Sequence, residues 1–153
     1  VFLEENQVMF SFGGVEIVSR LVEGKYPDYQ QIIPTAFQTT ANVSRSELMN
    51  LVKSISLFAS SGLHDVALKL DAQEGLIKIS SQSDLAGQGN AEMAAEIIGE
   101  SQEAVFNFRY LLDGLHALVS EKVELAMVDG NSPAVLKSPS KDNYLYLLMP
   151  IKQ

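Results

Sequence analysis

Side chains able to do covalent or metal chemistry are scarce in this sequence. Cysteine is absent, so neither a thiolate nucleophile nor a thiolate metal site can form. The two histidines, His64 and His116, do not stand at a helical ligand spacing. Gly87-Gln88-Gly89 lacks the third glycine and the lysine of a phosphate-cradling loop. Carboxylates such as Glu92 and Glu96 read as the solvent side of a strand. No nucleophile, base and orienting group come together, so the sequence reads as non-catalytic and without a cofactor or metal. Binding chemistry is better represented. Leu147, Met149, Pro150 and Ile151 form an apolar cluster near Gln153, where polar, fraying residues are more usual. The thioether of Met149 repacks easily, which suits a site accepting several partners. Leu147 and Met149 also fit an ordinary last strand with its side chains in a core, and both readings stand at this point.

Composition bounds what can position these residues. The 153 residues, 46% hydrophobic and 20% charged, can bury one real core, with a fragment of a second domain beside it. The longest apolar runs, such as Tyr144 to Pro150, fall far short of the roughly 20 residues that cross a bilayer, and no targeting signal is visible. A soluble, cytoplasmic protein is expected, and the missing cysteines fit a reducing compartment. The 19 acidic against 11 basic residues give a net charge of −8, opposite to the basic footprint of a domain that grips phosphates. Contact with DNA must then be weak or confined to one face.

Along the chain, Val8, Phe10 and Phe12 alternate with Met9 and Ser11, Gly13-Gly14 supplies the positive φ of a tight turn, and Val15, Ile17 and Ser19 continue a second strand. A lone hairpin is marginal in water, and the chain begins at Val1 without an initiator Met, so a truncated piece of something longer is expected. Gly24, Pro27 and Asp28 then break the pattern. The expected division is residues 1–34, a terminal hairpin and linker, and residues 35–153, a complete domain.

The second region repeats itself. Leu48, Leu51, Val52, Ile55, Phe58 and Ala59 have the spacing of an amphipathic helix, and Phe108, Leu111, Leu112, Leu115, Leu118 and Val119 reproduce it at a shift of 108 − 48 = 60. Ser44 with Glu47 forms a capping box, and Asn107 caps the second helix. Short strands are expected at 37–43, 66–70, 76–80 and 91–98, then at 104–108, 123–128, 134–137 and 144–149. The unit is β-α-β-β-β, twice, giving an α+β domain with both helices on one side of a sheet layer.

Two stretches carry a family likeness. Val18-Ser19-Arg20-Leu21-Val22-Glu23-Gly24-Lys25-Tyr26-Pro27-Asp28-Tyr29, followed by Ile32-Ile33-Pro34, resembles the linker between the second and third domains of the bacterial DNA polymerase III beta subunit. Tyr146-Leu147-Leu148-Met149-Pro150-Ile151-Lys152-Gln153 resembles that family's closing strand and its Met-Pro signature. The likeness covers nearly the whole chain. It implies the DNA-clamp fold and a homodimeric ring of six such domains encircling double-stranded DNA. It further implies a clamp loader, and polymerase and repair partners docking through short peptide motifs. The positions matching the family's peptide groove are Pro27, Gln31, Ile32, Pro133, Leu147, Met149, Pro150 and Ile151; family members often carry arginine where Gln31 stands.

The resemblance also places Leu57 and Phe58 at a subunit interface; Phe58 fits the helix stripe, so Leu57 is the better interface candidate. Arg45, Lys53 and Arg109, with Asn50 and His116, lie on the polar helix faces and are the DNA-facing candidates if the helices line a ring. Each also reads as a plain solvated residue. The rival is an α+β peptide- or ligand-binding module unrelated to replication, sharing the repeat but not the ring.

Overall fold

The computed structural model describes residues 1–26 and 28–152, and for 141–143 the backbone alone. They fall into two compact units, Val1–Gln30 and Gln31–Gln153. In the first, β1 (Phe2–Leu3), β2 (Gln7–Phe12) and β3 (Val15–Arg20) form an antiparallel sheet in that order. Gly13 and Gly14, at φ 57° and 83°, make the β2–β3 turn, and Phe12 faces Val15 across it. Phe2, Phe10, Phe12 and Ile17 of this sheet are exposed. A 3-10 turn, Tyr29–Gln31, follows.

The second unit holds all the remaining elements. They are β4 (Thr39–Ser44), α1 (Arg45–Ile55), a 3-10 turn (Ser56–Phe58), β5 (Asp65–Asp71), β6 (Leu76–Ser83), β7 (Gly87–Ala94) and β8 (Glu96–Gly99). After these come β9 (Gln102–Asn107), α2 (Phe108–Ala117), β10 (Lys122–Met127), β11 (Ala134–Ser138) and β12 (Lys141–Leu148). One antiparallel sheet has the order β12-β11-β10-β4-β8 and the other β7-β6-β5-β9. The two helices pack on each other, α1 also against β4, β6 and β7, and α2 also against β9 and β12. The expected α+β class with neighbouring helices is therefore the observed one.

Local chemistry explains these elements. Ser44 caps α1 by accepting from the Glu47 amide at 3.4 Å, and Asn107 caps α2 by accepting from the Arg109 amide at 2.9 Å. In β5, Val66, Leu68 and Leu70 point into the core, as Ile77 and Ile79 do in β6 and Val123 and Leu125 in β10, the period-two pattern of a half-buried strand. Arg45 ties the helices together. Its Nε donates to the Ser120 carbonyl at 2.9 Å and its Nη1 to the Leu115 carbonyl at 3.2 Å, satisfying oxygens that the end of α2 leaves free.

Two expectations need correction. The caps stand 107 − 44 = 63 residues apart, not 60, and the buried positions Leu48, Val52 and Ile55 of α1 correspond to Leu111, Leu115 and Leu118. A slip of three residues is nearly one helical turn, so it preserves an i, i+3, i+4 stripe and disguises the register. The strand expected at 91–98 is two strands. The chain leaves the four-stranded sheet at Ala95, whose amide donates to the Gly75 carbonyl at 2.9 Å, and β8 joins β4 in the other sheet. The first repeat thus has one strand more than the second.

The 63-residue register makes unequal demands on two residues that a 60-residue register would both assign to the apolar stripe. Leu48→Ala should lower the unfolding free energy by about 2–5 kcal/mol because Leu48 is fully buried. Val119→Ala should change it by less than about 0.5 kcal/mol because Val119 is 84% exposed. Urea denaturation of the two variants checks both values.

Candidate functional site

An apolar hollow gathers segments far apart in sequence. It holds about 400 Å³ and is lined by Gly62 and Leu63 from the loop before β5, Asn107 and Tyr110 from the start of α2, and Tyr146, Leu147, Leu148, Met149 and Ile151 from β12 and the tail.

Each wall has its own anchor. In the loop, Ser60 binds the Asp65 carboxylate through its hydroxyl at 2.8 Å and accepts the His64 amide on its carbonyl at 3.0 Å. His64 has φ 54°, a left-handed conformation that costs a residue with a Cβ free energy, and its ring meets Phe108 edge-on with centroids 5.6 Å apart. Asn107 works in two directions: its carbonyl oxygen caps α2, and its amide donates to the Leu63 carbonyl at 3.2 Å. The Phe108 amide adds a 2.8 Å bond to the His64 carbonyl. Leu63, on this pinned loop, remains 60% exposed.

The opposite wall depends on the tail. Leu148 is buried and holds the end of β12 in the core, while Met149, the next residue, is 55% exposed. The Ile151 amide donates to the Val105 carbonyl of β9 at 2.7 Å, so the tail runs along a sheet edge. Tyr146 packs close against α2 because Gly114 has no side chain; a Cβ there would come within 2.6 Å of the ring. Burial lifts the Tyr146 phenol above its ordinary pKa, and the Asp113 carboxylate and the phenols of Tyr144 and Tyr110 raise it further.

Of the positions expected in a groove, Leu147, Met149 and Ile151 meet at this hollow. Pro150 is half-buried between two of them, Pro133 is half-buried one residue before β11, and exposed Gln31 and Ile32 do not line the hollow. Pro27 lies outside the described residues. Leu63, Asn107, Tyr110 and Tyr146 were missed. The one available signal was type against pattern, an apolar Leu63 in a Ser-Ser-Gly loop and a large aromatic Tyr110 off the helix stripe.

The remaining candidates are dispersed. Leu57 is 76% exposed, whereas Phe58 is half-buried with its ring on the bare backbone of Gly89 in β7. Lys53 and Arg109 are solvent-exposed, but Arg45 is half-buried and bound to carbonyls. The exposed faces of the helices also carry Glu47 and Asp113. Among the described residues no cluster of three His, Asp or Glu side chains could hold a metal ion, and no helix is long and apolar enough to cross a membrane.

Comparison with known proteins adds the following. Residues 30–152 match the family described as DNA polymerase III beta subunit, C-terminal domain. The chain is 32% identical over 150 residues to the Beta sliding clamp of Synechocystis sp., covering 98% of this chain and 38% of that protein. It is 31% identical over 153 residues to the Beta sliding clamp of Staphylococcus aureus, covering 40% of it. Its fold matches the crystal structure of the DNA polymerase III subunit beta from Pseudomonas aeruginosa with a TM-score of 0.90 at 26% identity, over 99% of this chain and 41% of that one. Against the Thermotoga maritima beta subunit the TM-score is 0.86 at 31% identity, over 99% and 41%. The chain thus spans about two fifths of the length of the relatives it matches.

Because the loop wall depends on one left-handed residue, His64→Gly and His64→Ala should differ although both lose the ring contact. The glycine variant should be the more stable by about 1 kcal/mol, a difference that urea denaturation measures directly.

Proposed function

Because the chain belongs to the DNA polymerase III beta subunit family, we propose that it is the carboxy-terminal part of a sliding clamp, a non-catalytic ring component that tethers polymerase and other partners to double-stranded DNA. On this reading residues 1–34 end a second domain and residues 35–153 are the third. The observation that carries it is the apolar hollow between Leu63, Tyr110 and the Met149 tail. A soluble monomer seldom leaves large apolar side chains gathered in a concavity unless something docks there. Rigid walls and an adaptable Met149 suit short peptides that differ between partners. The proposed groove extends to Gln31, Ile32, Pro133 and Pro150, and Pro27 belongs to it by the family resemblance alone.

The ring reading assigns further roles. Leu57 projects beside β7, and β7 is the edge of its sheet, with one strand's worth of backbone donors and acceptors on its outer side. An exposed leucine next to an open edge supports a subunit interface, with Phe58 holding the turn in place. Lys53 and Arg109 are the proposed DNA-facing cations; Arg45 serves the helix pair first. So few basic groups on an acidic chain fit loose, sequence-independent contact that permits sliding. The cytoplasm is the proposed compartment. The unrelated-module alternative draws on no observation that the clamp reading leaves unexplained.

Two measurements test this. A fluorescein-labelled extended peptide with two adjacent large apolar side chains should bind, and Met149→Ser should weaken it by about tenfold, or ~1.4 kcal/mol; unchanged anisotropy titrations would remove the hollow from the docking site. The full-length protein carrying this chain, loaded on circular DNA, should be retained on gel filtration and lost once the DNA is linearised. Equal retention on both forms would sink the ring.

A further inference from the structure

The wall formed by α2 and β12 carries groups that docking of an apolar side chain does not use. Tyr110 and Asp113 stand three residues apart on α2 and share its exposed face. Tyr144 and Tyr146 stand two apart on β12, either side of Leu145, where the pairing with β11 shifts register, and Tyr144 is 43% and Tyr110 59% exposed. Tyr146 rests on Gly114, the residue directly after Asp113 on α2. The electrostatic influence of Asp113, Tyr144 and Tyr110 on the Tyr146 phenol fits this proximity.

Asp113 makes no ion pair among the described residues. Arg109 and His116 lie about a turn to either side on the same helix, but the His116 ring nitrogen is held by the Leu112 carbonyl at 2.8 Å. An unpaired, water-accessible carboxylate beside aromatic faces is the chemistry that receives an ammonium or guanidinium group. Tyr110 and Tyr146 also line the apolar hollow, so the two surfaces are continuous.

We propose that Asp113, Tyr110, Tyr144 and Tyr146 form a second subsite that takes a lysine or arginine of the same peptide whose apolar side chains fill the hollow. The proposal rests on the docking reading and adds a partner chemistry to it. Charge complementarity selects this occupant: the body carries −8, and the subsite offers ring faces and a carboxylate that Arg109, one turn away on α2, does not pair with.

The test is a peptide array against this chain by fluorescence anisotropy. Each peptide keeps the apolar pair and carries Lys, Gln or Glu at one position within four residues of it. At one register Lys should bind about fivefold tighter than Gln, and Glu more weakly still. That preference should shrink toward unity at about 0.5 M salt. Asp113→Asn, folded by circular dichroism, should bring the Lys-to-Gln ratio to about one. Tyr144→Leu should lower the ratio while its own melt reports folding. Binding of all three peptide types alike, or a Lys preference that survives Asp113→Asn, overturns the subsite and leaves the hollow intact. Failure of every peptide to bind overturns the docking reading and the subsite with it.

Discussion

The pairing of β4 with β10 and of β9 with β5 commits each repeat to the other's sheet. The first strand of either repeat finds its long partner across the chain, so neither β-α-β-β-β unit can satisfy its backbone or cover its apolar face alone. Residues far apart in sequence must meet before either sheet forms, at a loop-closure cost that grows only slowly with length. The helices follow from this exchange: α1 and α2 each spring from one of the swapped strands, Ser44 ending β4 and Asn107 ending β9. Their capping residues are therefore fixed in space by sheet pairing, and the helices pack on one another because their origins are set.

The apolar hollow is a by-product of the same exchange. Because β9 pairs with β5, Asp65 stands opposite Asn107, and the loop entering β5 is held against the start of α2. Asn107 can then cap the helix and grip the Leu63 carbonyl at once. Because β9 is an edge, its Val105 carbonyl is available to the Ile151 amide. Loop, helix start and tail meet at one corner, each fastened to the scaffold by hydrogen bonds, and Leu63, Tyr110 and Met149 stay exposed there. Those side chains stay free for a guest.

Different parts of this arrangement were legible in the sequence to different degrees. The helices could be read because burying one face imposes a 3.6-residue rhythm and because Ser44 and Asn107 are good caps. The register between them could not, since a displacement of three residues leaves the rhythm in phase; only the caps fix it. The break at Ala95 was hidden for a similar reason. Both sheets accept Met93 and Ile97 on alternating positions, and a strand that changes sheets keeps its alternation. The tail half of the hollow was visible as apolar residues at an unexpected place, while Leu63, Tyr110 and Tyr146 acquire meaning only through long-range pairing that no local pattern encodes.

The charge distribution fits the docking proposed for this corner. The helix faces present Lys53 and Arg109 against Glu47 and Asp113, nearly balanced, and Arg45 is spent on the carbonyls of Leu115 and Ser120. In the four-stranded sheet, Lys78 and Lys69 lie 3.1 and 3.5 Å from Asp71, and Lys78 also pairs with Glu74, so both lysines are engaged by carboxylates. Hydrogen bonding from Lys78 holds the Asp71 carboxyl below the usual carboxylate range, and the Glu74 and Asp71 carboxylates hold the Lys78 ammonium above its own. Arg45, Lys69 and Lys78 thus serve internal contacts before any phosphate. A chain built this way offers little for tight electrostatic attachment to phosphates, and it exposes apolar surface where Leu148 goes in and Met149 comes out.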